Sequence, residues 1–184
     1  NTKREMMVDF EKRMMEASFF SPPPKCIAMI QCAGSRQEPK NYCSRICCLK
    51  SVKSAISLAE QYPETKVYIF YRDMMTYGDL EQYYTQARKK GVMFIAYTPE
   101  KPPVLETGGQ RPIVRGFDPV MNREVILEAD WVSLAQGVDP NPVSDLAGLF
   151  GCTTTTDGFL READSKWRPV DSGREGVFIA GLAR

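Results

Sequence analysis

A chain of 184 residues without a single histidine is closed to several chemistries at once. It cannot build a histidine-based catalytic triad, a zinc site with imidazole ligands or a haem held by histidine. An excess of charge is missing too: 24 basic residues face 23 acidic ones, a net charge of +1. That balance gives no electrostatic basis for binding nucleic acid. No apolar run approaches the roughly 20 residues of a membrane helix, so direct membrane insertion is not expected. Asn1–Arg4 is polar and unlike a secretion signal. Gly-x-Gly-x-x-Gly is absent, and so is Cys-x-x-Cys. The first absence removes the usual dinucleotide fingerprint, the second the usual redox dithiol and the usual paired zinc spacing. Six cysteines are too few at this length for a disulfide scaffold.

What is present is ordinary in bulk. Hydrophobic content of 43% and charged content of 26% suit a globular domain with one good core and a small satellite. The unusual stretch is Cys32–Lys53, which holds Cys32, Cys43, Cys47 and Cys48. A strand-like run enters it and a helix-like run leaves it. Cys43 and Cys47 are spaced i, i+4 around the first helical turn, Cys48 adjoins them, and Cys32 arrives from the strand. A helix N-terminus favours negative charge and thiolates. Arg36, Arg45, Lys50 and Lys53 add positive charge nearby, and Gly34 and Ser35 offer backbone donors. Four cysteine thiolates are the usual holders of an iron–sulfur cluster. On spacing alone, structural zinc, a reactive thiol pair and simple core packing of Cys48 stay open beside it. Cys26 and Cys152 read as packing or incidental thiols.

The pattern around the stretch is that of an α/β protein. Met6, Phe10 and Met14 make a helical stripe within Thr2–Ala17, followed by the stiff Ser21-Pro-Pro-Pro linker. Strands are expected at Lys25–Gln31, Lys66–Tyr71 and Val92–Tyr97, with helices at Ile46–Gln61 and Asp79–Lys90 between them. This alternation predicts parallel strands with right-handed crossovers. Val104–Glu106, Pro112–Asp118 and Arg123–Glu128 read as an inserted antiparallel meander. Trp131–Ala135 returns as a buried strand, Ser144–Phe150 as a short helix, Phe159–Glu162 as an extended piece and Gly176–Ala180 as a last buried strand. The expected fold is a Rossmann-like three-layer α/β domain with a parallel sheet and an inserted antiparallel β-meander. The divisions are 1–24 (helix and linker) and 25–184 (nucleotide-type domain), with the cysteine loop at 32–48, the meander at about 103–129 and a return segment at about 150–184.

Several motifs carry a resemblance. "VYIFYRD", "GVMFIAYTPE", "ADWVSLAQGVDPNP", "TTDGFL" and the terminal "GVFIAGLAR" resemble the pyridine-nucleotide disulfide oxidoreductase superfamily. Gln31-Cys32-Ala33-Gly34-Ser35-Arg36 and Tyr42-Cys43-Ser44-Arg45-Ile46-Cys47-Cys48 are similar to the heterodisulfide reductase A-like family, whose relatives read "QCVGSR" and "YCSRVCC". The likeness runs through nearly all of 25–184. It implies a piece of a larger protein, lacking the N-terminal FAD-binding half.

The resemblance implies electron transfer through a [4Fe–4S] cluster on Cys32, Cys43, Cys47 and Cys48, between a flavin and partner subunits. It gives Gly181 a close approach to FAD in the intact parent. Implied partners are other heterodisulfide reductase-like subunits, ferredoxin or hydrogenase-type donors, or a quinone-linked complex, in the cytoplasm. The parent is expected to be an oxidoreductase and the piece alone inactive. The alternatives are an NAD(P)-linked disulfide oxidoreductase domain and a zinc-stabilised interaction module. Arg72-Asp73 reads as a solvated or ion-paired strand end. Gly137, Asp139, Pro140 and Asn141 read as a turn. Tyr68, Phe70, Tyr71, Tyr77, Tyr83 and Tyr84 read as packing, with a partner surface as the other possibility.

Overall fold

A computed structural model describes residues 4–14 and 20–183. The chain divides into two compact units, Asn1–Gly137 and Val138–Arg184. The first opens with a short strand, β1 (Arg4–Met6), and a helix, α1 (Met7–Met14). Part of the helix expected over Thr2–Ala17 lies outside the described residues, and Met6 belongs to the strand rather than to the helical stripe. The alternating core follows: β2 (Cys26–Ile30), α2 (Cys47–Gln61), β3 (Lys66–Tyr71), a 3-10 turn at Gly78–Leu80, α3 (Glu81–Lys89) and β4 (Met93–Ala96). The meander is β5 (Val104–Glu106), β6 (Ile113–Asp118) and β7 (Arg123–Glu128), and β8 (Trp131–Leu134) closes the unit.

Five strands form one parallel sheet in the order β1-β8-β2-β3-β4. Its central strands are apolar on both faces because both faces are covered. Ile27, Met29, Val67 and Ile69 join Val52, Ala55 and Leu58 of α2 in one cluster, with Phe10 and Phe20. Their neighbours Ala28, Ile30, Phe70 and Ile95 point the other way and join Val114 and Val132. Side chains of successive strand residues face opposite ways, so helices cover one face of the sheet and the meander covers the other. This is the expected three-layer α/β architecture, with the antiparallel meander in its expected place.

Gly116 shows how closely the meander lies on the sheet. A Cβ built there would sit 2.7 Å from Cε1 of the buried Phe70 ring. Gly116→Ala is therefore expected to cost about 1–3 kcal/mol through overpacking. Urea unfolding would show this as a lower midpoint with an unchanged slope.

The second unit carries α4 (Ser144–Phe150), closed by Gly151 in the left-handed conformation at φ +65°. It also holds an antiparallel pair, β9 (Glu162–Asp164) and β10 (Arg168–Ser172). Gly176–Ala180 is not the buried strand its apolar composition predicts. It makes a single bridge, Asp171 with Phe178, and hydrogen bonds from Ser172 to Val177 and from Ile179 to Val170. Ile179 is buried, but Phe178 is 69% exposed. The run is thus an irregular addition to β10, one side covered and one side open. Strand β10 itself, which reads Arg-Pro-Val-Asp-Ser, is absent from the sequence-based expectation. Among the described residues no helix is long and apolar enough to cross a membrane.

Candidate metal centre

The strands step from β2 to β3 to β4 in one direction, and β8 then lies on the other side of β2. In open parallel sheets ligands bind outside the carboxyl ends of strands where the order reverses in this way. The cysteine loop leaves the carboxyl end of β2 at this point. Its entry is held from both sides: Gln31 N–H donates to the Phe70 carbonyl at 2.9 Å, and Ala33 N–H to the Ala135 carbonyl at 3.0 Å. Beneath it the Tyr97 hydroxyl donates to the Gln31 carbonyl at 2.6 Å, and the Gln31 amide donates to Ser51 of α2 at 2.7 Å. Burial pushes the Tyr97 phenol well above its usual range, which keeps that donor protonated.

Cys32, Cys43, Cys47 and Cys48 line one pocket, together with Ser35, Arg36, Ser44, Arg45, Asp73 and Met75. All four are free thiols, Cys48 buried and the others half-buried. The loop that gathers them is bent at three non-glycine residues with positive φ: Cys32 at 54°, Arg36 at 59° and Arg45 at 61°. Each such residue costs of order 1 kcal/mol or more, so the loop is held in shape by the contacts around it. Those contacts aim donors at sulfur. Arg45 N–H lies 3.3 Å from Cys43 Sγ. The Gly137 N–H faces Cys47, and the Met75 N–H faces Cys48. The Arg36 guanidinium lies beside Cys32.

Burial outweighs these donors while the thiols carry their protons. It raises the Cys32 and Cys47 thiols above their ordinary value and pushes Cys48 up to about 11. A cationic centre bound among them has to displace those protons. Among the described residues, no three His, Cys, Asp or Glu side chains are set as the ligands of one metal ion. Zinc needs sulfurs about 2.3 Å from a common centre. Four thiols around one pocket are a donor set common to iron–sulfur clusters and structural zinc.

Arg36 is held through both its side chain and its backbone. Its Nη2 pairs with Asp73 at 2.7 Å, and its carbonyl accepts from Arg72 Nη1 at 2.8 Å. Nη1 is buried and has no hydrogen-bond partner. The Arg72-Asp73 strand end is thus ion-paired, one of the two states expected of it, and the pair fastens the cysteine loop. The loop after β3 also forms a wall through Asp73 and Met75, a contact that no pattern in the sequence signals. Gly137, expected as a turn residue, sits against the loop at φ +80°, and a Cβ there would come 3.0 Å from Ser44 Oγ and 3.2 Å from Ser35 Cβ. Its signal in the sequence is a glycine two residues past the end of β8's buried run. Cys26 starts β2, at the far end of the strand from the pocket. Burial, with Asp130 beside it, pushes its thiol up to about 11, as suits a packing thiol. Cys152 belongs to the second unit and lines an apolar pocket there with Leu146, Phe150 and Ile179. Gly181, in the same unit, has φ +68° and open space where a Cβ would stand.

No protein-family model matches the chain. The A subunit of the ferredoxin:CoB-CoM heterodisulfide reductase of Methanosarcina acetivorans is 36% identical over 165 residues, covering 88% of this chain and 20% of that protein. The iron-sulfur A subunit of the CoB–CoM heterodisulfide reductase of Methanocaldococcus jannaschii is 39% identical over 170 residues, covering 88% of this chain and 25% of that protein. Over most of its length the chain is similar to the A subunits of heterodisulfide reductases. It spans a fifth to a quarter of the length of these relatives. Among solved structures, Lactococcus lactis thioredoxin reductase matches with a TM-score of 0.54 and 14% identity, covering 100% of this chain and 50% of that one. At that identity the likeness is one of fold, that of the Rossmann-like disulfide oxidoreductases. In this chain, the corner where Rossmann-like folds present a glycine-rich turn presents the cysteine loop instead.

Proposed function

We propose that Cys32, Cys43, Cys47 and Cys48 hold a [4Fe–4S] cluster, and that this segment carries electrons between a flavin and partner subunits of a heterodisulfide reductase-like complex. The observation that carries the reading is the gathering of four cysteines, spread over the loop and the first turn of α2, around one pocket at the reversal point of the sheet. When bound, such a cluster accepts and releases single electrons. The chain's own residues supply the rest. The Arg45, Gly137 and Met75 amides and the Arg36 guanidinium direct positive charge at the sulfurs, and the bent loop brings the four thiols to one pocket. Gly181 would offer its backbone to FAD in a longer protein. A cytoplasmic setting suits six thiols with no disulfide between them. Partners of the kind named for the relatives, ferredoxin among them, would be the source or sink of the electrons.

The test is anaerobic reconstitution with iron and sulfide, followed by metal and sulfide analysis and EPR of the reduced protein. About four irons and four sulfides per chain with a paramagnetic reduced state are expected. Zinc retention with no sulfide would sink the reading in favour of a structural metal.

Arg36 gives this reading a measurable consequence. Its charge favours the reduced, more negative cluster, and a hydrogen bond to a charged group is worth about 1.5–3 kcal/mol. If about 1 kcal/mol of that distinguishes the two oxidation states, Arg36→Gln lowers the midpoint potential by about 40 mV. EPR-monitored redox titration checks this, and Arg36→Lys, which keeps the charge, should recover part of the shift.

A further inference from the structure

The outer strand of the parallel sheet is bare along one side. Among the described residues no strand pairs with β4 on the side away from β3. A groove of about 720 Å³ runs there, touching Met93, Phe94 and Ile95 in succession and walled by Tyr84 and Arg88 of α3 and by Arg123 and Val125 of β7. Consecutive strand residues point to opposite faces. A groove that touches three in a row therefore reaches round the edge of the strand, and Tyr68 and Tyr71 of β3 extend it over the sheet beside that edge.

The edge is equipped for pairing. Tyr97 N–H donates to the Tyr71 carbonyl at 2.9 Å, so the amides of Ile95 and Met93 also face β3. Phe94 and Ala96 turn their N–H and C=O groups outward, and both residues are partly exposed. The strand reads Met-Phe-Ile-Ala. It has no lysine, proline or bulge of the kind that blocks edge-to-edge pairing.

The charge at the groove has one sign to offer. Arg88 and Arg123 are exposed, and among the described residues neither is in an ion pair; Arg88 only lies over the Tyr84 ring at 5.7 Å. The one carboxylate among the lining residues, Asp118, is buried and already accepts the Val120 and Met121 amides at 2.8 and 3.1 Å. A second copy of this chain on the same edge would bring these arginines against their own counterparts, which is repulsive.

We propose that the groove takes an extended, acidic peptide segment of a partner protein, which adds to β4 as a further strand of the sheet. Main-chain hydrogen bonds to Phe94 and Ala96 supply affinity, and alternate side chains enter the aromatic wall. Carboxylates of the peptide pair with Arg88 and Arg123. The inference rests on the edge of β4 and is independent of any group held by the cysteines.

The test is selection from a displayed library of random dodecapeptides on the full chain, with binding of the selected peptides measured by fluorescence anisotropy. Peptides of alternating apolar residues with acidic flanks should be enriched, and they should protect the Phe94 and Ala96 amides from hydrogen exchange. Ala96→Pro removes only an outward N–H, a change tolerated on an edge strand, and should weaken binding more than about tenfold. Circular dichroism and the urea midpoint verify that this variant is folded. Arg88→Glu with Arg123→Glu should turn the selection toward basic peptides. The proposal is overturned by a selection that enriches nothing, or by enriched peptides that bind Ala96→Pro equally well. It is also overturned by a concentration-dependent dimer that Ala96→Pro abolishes, since the edge then serves a second copy.

Discussion

Serine in place of Cys43 or Cys47 is expected to cut the iron retained after reconstitution at least about tenfold and to remove the EPR signal of the reduced protein. Even changes one shell outside a metal site commonly cost 10- to 100-fold in affinity, and these two residues are proposed as direct ligands. Cys43 comes from the loop and Cys47 from the first turn of α2. Serine at either position tests whether both segments contribute to one site. Serine at Cys26 or Cys152 is the matched control. Cys26 lies at the other end of β2, and Cys152 lines an apolar pocket in the second unit. Both variants should load iron as the unaltered chain does. Equal iron and unchanged spectra in Cys43→Ser and Cys47→Ser would remove these positions from the site. Equal losses in all four variants would mean that iron was held unspecifically.

Gly137→Ala should lower stability by about 2–3 kcal/mol and impair cluster loading together. A left-handed backbone costs a residue with a Cβ roughly 1–2 kcal/mol. The new methyl would also press on Ser44 Oγ at 3.0 Å and Ser35 Cβ at 3.2 Å, both in the cysteine loop. The loop can relieve that contact only by moving the segments that carry Cys32 and Cys43, or by withdrawing the Gly137 amide from Cys47. Thermal unfolding should drop by about 5–10 °C, taking 2–4 °C per kcal/mol for a chain of this size. Gly78→Ala separates the two contributions, because Gly78 has φ +62° but open space around it. It should show the backbone cost alone, with full iron loading. A Gly137→Ala protein that loads iron normally would mean that the loop does not depend on this wall.

The central sheet was legible because its strands are short, apolar and spaced by helical patterns, and because burial on both faces leaves little ambiguity of period. Lys66–Tyr71, Ser144–Phe150 and the three meander strands lie where the sequence places them, give or take a residue. The end of the chain was less legible. Gly176–Ala180 has the composition of a core strand, but composition does not report which partner edge is available, and only Ile179 of that run is well buried. Strand β10 reads Arg-Pro-Val-Asp-Ser, with no clean alternation and a proline inside it, a weak signal in a sequence scan. At the cysteine pocket, Cys32, Cys43, Cys47 and Cys48 were visible because they cluster along the chain. The loop after β3 and Gly137 were not, because they reach the pocket only through the parallel packing of β3 and β8 on either side of β2. Arg36 was visible as a charge, but its pairing with Asp73 required the fold.

The parallel pairing of Arg4–Met6 with Trp131–Leu134 sets a timetable for the making of this protein. Strand β1 leaves the ribosome well before its strand partner β8 exists, with the cysteine loop, both crossovers and the meander still to come. At about 5–20 residues per second the wait is on the order of ten seconds. Contacts between such distant segments form slowly, since the intervening chain must close first. The β2–β3–β4 core can assemble during that interval, and β1 docks on an edge that β8 creates at the end. Pulse-labelled hydrogen exchange on the refolding chain should accordingly find the β3 amides protected before those of β1.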